Sequence, residues 1–246
     1  LLADPWELRL RYTRFLSLAL TLVPEPKRVL ILGLGGGSFP KKLYKDVPGV
    51  SVDVVDIDPE VIAIAKRHFL VPEDGRMRLH AMDGRRFVQE SREQYDLIFL
   101  DAYNSDTIPF HLATREFYEE IKARLTPGGV VVSNIIGTLR GPQSTFFRAM
   151  YRTLSGAFPT VYTVPTYDQS VGWIIGDINI ILFATQDRTR LSRGDFVARA
   201  ARVGGRLVPA SDLAEYAAHV LEVPIETGDV PLLTDDFAPV EILRSM

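Results

Sequence analysis

Two periodicities alternate along the chain. Over residues 5–23, Leu8, Tyr12, Phe15, Ala19 and Leu22 recur at helical spacing and define one apolar face. Asp4 as N-cap, Pro5 at the first helical position and Glu7 three residues after Asp4 predict where this amphipathic helix starts. Pro24 and Pro26 predict its end. From Arg28 the pattern changes. Residues 29–32 form a short, uninterrupted run of branched side chains, as expected of a strand buried on both faces. Comparable runs at 50–56, 76–80, 95–101 and 130–135 predict four more strands, separated by helices near 38–46, 59–69, 84–90 and 114–125. Such alternation predicts a parallel sheet with crossover helices. After Gly137 a helix over 142–158 leads to strands at 161–165 and 178–184. No helix separates those two, so an antiparallel hairpin at the sheet edge is predicted. Helices at 195–203 and 212–219 complete the chain, with no repeat or linker between parts.

The first strand ends in Gly33-Leu34-Gly35-Gly36-Gly37-Ser38, and about twenty residues later the second ends in Asp56. Glycines there allow a sharp turn and a close approach of backbone to ligand, and an acid after strand two can accept from both ribose hydroxyls. A dinucleotide fingerprint would place its third glycine at Ser38 or Pro40, so a pyrophosphate fits poorly. An S-adenosyl ligand fits the G-x-G-G-G form better. The predicted fold class is α/β: a Rossmann-like, class I methyltransferase-type sheet, mostly parallel with an antiparallel edge hairpin, in a single domain spanning 1–246.

Composition narrows the partners. Lys and Arg number 28 against 31 Asp and Glu, so the basic excess usual in nucleic-acid binding is absent. No cysteine is present, which removes disulfides, thiolate metal sites and thiol nucleophiles and suits the cytoplasm. No apolar run reaches membrane-spanning length; residues 174–184 are interrupted by Asp177 and Asn179. The expected partner is a small-molecule amine, with no nucleic acid, no membrane and a homodimer as an option. The chain begins at Leu1 rather than Met, so a preceding N-terminal portion is an open expectation.

In open α/β sheets, ligands bind at the carboxyl ends of the strands. Strand two brings Asp56, Ile57 and Asp58 there; strand three brings Asp83 and Gly84; strand four brings Asp101, Tyr103, Asn104 and Asp106. Asp83 can accept from an adenine amine beside the space Gly84 leaves, or cap the following helix; the two roles are compatible. Asp58 before Pro59 reads as a helix cap. Asp101 follows four apolar residues, 97–100, and a carboxylate so placed needs a function or a partner. His68, His80, His111 and His219 lack metal-ligand spacing, and no metal is expected.

Together these segments resemble the polyamine aminopropyltransferases, spermidine synthase and its relatives. The resemblance rests on the glycine turn 32–38, Val55-Asp-Ile-Asp-Pro59, Met82-Asp-Gly84, the strand 96–101, Val164-Pro-Thr-Tyr167 followed by Gly172, and the tail 233–241. It implies that Gly33, Gly35, Gly36, Gly37, Asp56, Ile57, Asp83 and Gly84 bind the nucleoside of decarboxylated S-adenosylmethionine. It implies that Asp101 is the catalytic acid/base and that Tyr103, Asn104, Asp106 and Tyr167 meet the amine.

Three departures from the family pattern temper the transfer. Ser38 stands where the family has the Asp that holds the donor's amine, and Asn104 stands where it has the second Asp of its D-S-S-D-P loop. Only a helix precedes the first strand, where the family has an N-terminal β-domain lining the amine channel. Aminopropyl transfer therefore leads. S-adenosylmethionine-dependent methyl transfer, which loss of the amine-holding Asp favours, and non-catalytic binding of a nucleoside or polyamine are the alternatives.

Overall fold

The computed structural model describes residues 4–103, 107–167, 177–207 and 212–245. Its centre is a seven-stranded sheet of β1 (Arg28–Leu32), β2 (Ser51–Asp56), β3 (Met77–Ala81), β4 (Tyr95–Leu100), β5 (Leu125–Gly137), β6 (Thr160–Pro165) and β7 (Ile178–Thr185). The order is β3-β2-β1-β4-β5-β7-β6. The first five strands are parallel, and β7 runs antiparallel to both β5 and β6. This is the class I methyltransferase-type sheet, with the edge hairpin the sequence predicts.

Alternation along each strand divides two cores. Val29, Ile31, Val52, Val54, Leu97 and Phe99 face one layer, where Phe15 and Leu16 of α1 (Arg11–Leu16), Ala19 of α2 (Ala19–Leu22), Phe39 and Leu43 of α3 (Ser38–Asp46) and Phe196 of α8 (Arg193–Gly204) pack. Leu30, Leu32, Val55, Ile98 and Leu100 face the other, against Val88 of α5 (Gly84–Glu90), Phe117 and Ile121 of α6 (Arg115–Lys122) and Phe146 and Leu154 of α7 (Thr145–Ala157). Burial from both sides explains why these strands read as continuous apolar runs. The exception is Asp53, 2% exposed inside β2, where Arg78 grips it through two bonds and His80 and Tyr95 reach it as well. Its charge is therefore fully partnered and structural.

The N-terminal segment departs from expectation. Instead of one helix over 5–23, the chain is extended at Leu10, forms α1, breaks at Ser17 and Leu18, and resumes as α2. Carbonyls that would close the first helical turns are taken by long side chains: Lys41 Nζ donates to Pro5 at 2.7 Å, and Arg14 Nε to Leu8 at 2.8 Å. Asp4 caps only a local turn, accepting from Trp6 N. The apolar face is conserved across the break, since Leu8, Phe15 and Ala19 are all buried. Strand β5 starts five residues earlier than 130, passing Pro127-Gly128-Gly129 through a register shift against β4. The last two predicted helices become α8, α9 (Leu213–Ala217) and an additional α10 (Val240–Ser245). Among the described residues no helix is long and apolar enough to cross a membrane.

Candidate active site at the carboxyl ends of the strands

The glycine turn is locked from both sides. Gly33 N donates to Val55 O at 2.8 Å, and a Cβ at Gly33 would lie 2.3 Å from the carbonyl oxygen of Asp101. With φ at +99° as well, the position accepts only glycine. At Gly35 (φ +50°) the site of a Cβ faces open space, so the backbone is left bare on its outer side. Asp56, closing β2, accepts from Leu34 N at 2.9 Å through Oδ2 and from Asp58 N at 3.0 Å through Oδ1. The carboxylate thus ties the turn to the second strand, with a lone pair remaining on each oxygen. Ile57 projects outward beside it, 72% exposed, which is unusual for a large aliphatic side chain. Asp58 caps α4 (Pro59–Phe69) by accepting from Glu60 N at 2.8 Å.

Asp83 caps α5 through Arg86 N at 2.9 Å, while its other oxygen meets His111 Nε2 at 2.8 Å. Burial works to raise its pKa, but these bonds outweigh it and the carboxyl lies below its ordinary value. Gly84 sits so close to β1 that a Cβ would stand 3.2 Å from Leu32. His111 is held from behind: Arg85 donates to its carbonyl while bridging Glu120 and Asp235. Those bonds put Asp235 down at about 2.

Asp101 leaves the end of β4 beside the glycine turn. Its Oδ1 accepts from Asn134 Nδ2 at 2.7 Å and its Oδ2 from the Tyr12 hydroxyl at 3.2 Å. Burial pushes the carboxyl up to about 6, against the opposing pull of the Asn134 and Tyr12 bonds. The Tyr12 phenol is raised above its ordinary value by burial and by the facing carboxylate, so it is a neutral donor at physiological pH. Tyr12, the turn from Gly33 to Ser38, Phe99 and Asp101 line a cavity of about 130 Å³. Asp101 is the one carboxylate among the described residues that line it.

The expected residues do not all converge. Gly33, Gly35, Gly36, Gly37, Asp56, Ile57, Asp83, Gly84 and Asp101 lie on or beside adjacent strand ends, as expected. Tyr103 belongs to the same loop, but its hydroxyl is consumed by the sheet, donating to Asn134 O at 2.8 Å and accepting from Ile136 N at 2.9 Å. Any contact with an amine would have to use its ring. Tyr167 follows β6, with its carbonyl held by Arg11 of α1 and its ring 5.5 Å from that of His219. Asn104 and Asp106 lie outside the described residues. Sequence reasoning missed Tyr12, Asn134 and His111. Both of the first two carried a signal: a phenol on an apolar helix face, and an amide inside an apolar strand, each require a buried partner.

The fold is the class I methyltransferase-type sheet, and the glycine turn and strand-end carboxylates lie at the edge where such sheets take their ligands. Residues 11–178 match the spermine/spermidine synthase domain, and the chain belongs to that family of transferases. It is 32% identical to a polyamine aminopropyltransferase of Vibrio vulnificus over 98% of this chain and 78% of that protein. It spans about half the length of two further bacterial relatives of this kind. It is also 30% identical to the human eEF1A lysine and N-terminal methyltransferase, over 68% of this chain and 25% of that protein. A probable spermidine synthase from Corynebacterium glutamicum shares the fold at a TM-score of 0.69 and 19% identity, over 92% of this chain and 85% of that one.

Proposed function

We propose that this chain transfers an aminopropyl group from decarboxylated S-adenosylmethionine to a di- or polyamine. The observation that carries the proposal is Asp101: a carboxylate raised to about 6, fixed by Tyr12 and Asn134, on the wall of the glycine-turn cavity. The seven-stranded sheet supports reading residues 1–246 as one Rossmann-like domain.

In this reading the nucleoside lies across the turn. Asp56 accepts from the ribose hydroxyls with its free lone pairs, Ile57 covers a face of the base, and Asp83 accepts from the adenine amine. Bare backbone at Gly35 and the wide exposure of Ile57 fit such a ligand, since both leave surface that the protein itself does not cover. The donor's sulfonium carbon is already electrophilic. The chain has to desolvate the amine, hold it in line and accept its proton. The amine nitrogen forms a bond to the aminopropyl carbon attached to sulfur. The carbon–sulfur bond breaks with its electron pair passing to sulfur, and methylthioadenosine leaves as a neutral thioether. Asp101 Oδ2 takes the proton that the nitrogen loses. An ordinary aspartate near 3.9 is a poor base for an amine near 10, and burial of Asp101 narrows that gap by about two units.

A second reading is favoured by one residue. Ser38 opens α3 in the cavity wall, where the family's amine-holding acid is absent, and a serine there admits the carboxylate of intact S-adenosylmethionine. Methyl transfer to an amine would then use the same base. Incubating the protein with either donor and a panel of amines, and identifying the products by mass, separates the two.

A further inference from the structure

Behind Asp101 lies a chain of amides that the proposed chemistry does not itself require. Asn134 in β5 is 2% exposed, and its Nδ2 donates to Asp101 Oδ1 at 2.7 Å. Its Oδ1 accepts from Asn179 Nδ2 of β7 at 3.0 Å. The two strands are antiparallel, with Asn134 opposite Ile181 and Asn179 opposite Ile136, so the asparagines form a diagonal cross-strand pair. An apolar pair would be the ordinary occupant of this place in the sheet: Ile135, Ile180 and Ile181 around them are fully buried. Buried amides that cost desolvation are retained only when every group is partnered, and here each amide faces the next in one direction.

Direction is the important property. A side-chain amide turned by 180° exchanges donor and acceptor. Turned that way, Asn134 would present its oxygen to the Asp101 carboxylate and repel its charged form. Asn179 opposes this, because a turned Asn134 would set its NH₂ against the Asn179 NH₂, and both amides would have to turn together. The main chain of Asn179 has a second task. Its carbonyl accepts from Thr166 N at 3.0 Å and from Thr166 Oγ1 at 2.9 Å, next to Tyr167. Arg11, one residue before Tyr12, reaches the carbonyls of Thr166 and Tyr167 from α1. One residue therefore links the Asp101 carboxylate, the corner after β6 and the helix that carries Tyr12.

We propose that Asn179 is a positioning residue: acting through Asn134, it keeps an amide donor on Asp101 Oδ1 and leaves Oδ2 as the oxygen that works on substrate. This rests on the reading of Asp101 as the proton acceptor. The other titratable groups facing the carboxylate, among the described residues, are the phenols of Tyr12 from α1 and Tyr103 from its own loop. Both are raised above their ordinary values by burial and stay neutral, and Arg244 of α10 acts on Tyr103. Among the described residues, the orientation of Asn134 is thus the polar term that Asn179 can change without adding or removing a charge.

The test follows the carboxyl itself. Carbon-13 NMR of aspartate-labelled protein reads the Asp101 titration in wild type, Asn179→Ala, Asn134→Leu and the double variant, alongside the pH dependence of transfer. The expected midpoint is about 6 in wild type. It should rise by about half a unit to one unit in Asn179→Ala and further in Asn134→Leu. In the double variant the Asn179 change should add nothing, since the amide through which it acts is gone. An unmoved midpoint in Asn179→Ala, or a full additive shift in the double variant, overturns the relay. Asn179 is only partly buried, so its variant keeps the test alive if Asn134→Leu does not fold. If the midpoint moves while the pH–rate limb stays in place, the relay stands and the assignment of Asp101 as base falls.

Discussion

The hydroxyl of Tyr12 donates to Asp101 across 89 residues of sequence, joining the N-terminal helix to the end of the fourth strand. Both residues line the glycine-turn cavity, and the bond supports the charged form of Asp101. Tyr12→Phe removes the donor and keeps the ring. The Asp101 midpoint should rise by about half a unit to one unit, moving the acid limb of kcat/KM in step. Steady-state rates from pH 5 to 9 check this; an unmoved limb with a lower rate throughout would mean that Tyr12 serves shape alone.

Asp101→Asn is nearly isosteric and can keep both neighbours bonded. Transfer should fall by a hundredfold or more, since the proton acceptor is lost. Methylthioadenosine binding should change little. The fold should become more stable at pH 8, because an ionised, desolvated carboxylate has been replaced by a neutral amide. The expected gain is about 1–2 kcal/mol, a rise in Tm of about 3–6 °C. Thermal melts and calorimetry with methylthioadenosine test both halves. A less stable variant would contradict the burial account.

The same carboxyl makes a signed contribution to stability against pH. Its folded value of about 6 stands above the ordinary aspartate value of about 3.9. Between those values the folded state holds more protons than the unfolded state, so this group's contribution to stability falls as pH rises through the window. Transfer runs the other way, increasing as Asp101 ionises near pH 6. Denaturant titrations of wild type and Asp101→Asn from pH 3.5 to 7.5 should diverge across that interval; parallel curves would show that Asp101 titrates normally.

Legibility in the sequence was uneven for physical reasons. Strands buried on both faces had to be apolar except where a buried charge is fully partnered, as Asp53 is in β2, so β1, β2 and β4 could be recognised within a residue or two. The turn could be recognised because Gly33 has no alternative: its φ and the carbonyl of Asp101 both forbid a side chain. Asp101 stood out as a charge behind an apolar run. Tyr12 and Asn134 gave a weaker signal: a phenol on an apolar helix face and an amide in an apolar strand each demand a partner, but that partner lies on another element and spacing along one element does not name it. The break in the N-terminal helix was hidden likewise, since Lys41 and Arg14 capture carbonyls from a distance while the apolar period continues.

Asp56→Asn separates turn and ligand. The amide oxygen can still accept one backbone N–H, but the charge that would hold the ribose hydroxyls is gone. Methylthioadenosine affinity should drop by about tenfold or more, corresponding to about 1.5–3 kcal/mol for a bond to a charged acceptor. Thermal shift at graded ligand concentration measures it, and an undiminished shift would remove Asp56 from the nucleoside site.

The donor and the transferred group are the central claim, and Ser38 is where they are decided. Wild-type protein and Ser38→Asp should each be incubated with an amine panel and an equimolar mixture of decarboxylated and intact S-adenosylmethionine, and all products identified by mass. Aminopropyl transfer predicts an amine enlarged by one aminopropyl group together with methylthioadenosine, with Ser38→Asp favouring that outcome further by repelling the intact donor's carboxylate. A methylated amine accompanied by S-adenosylhomocysteine from the wild-type protein would contradict the account and assign the site to methyl transfer.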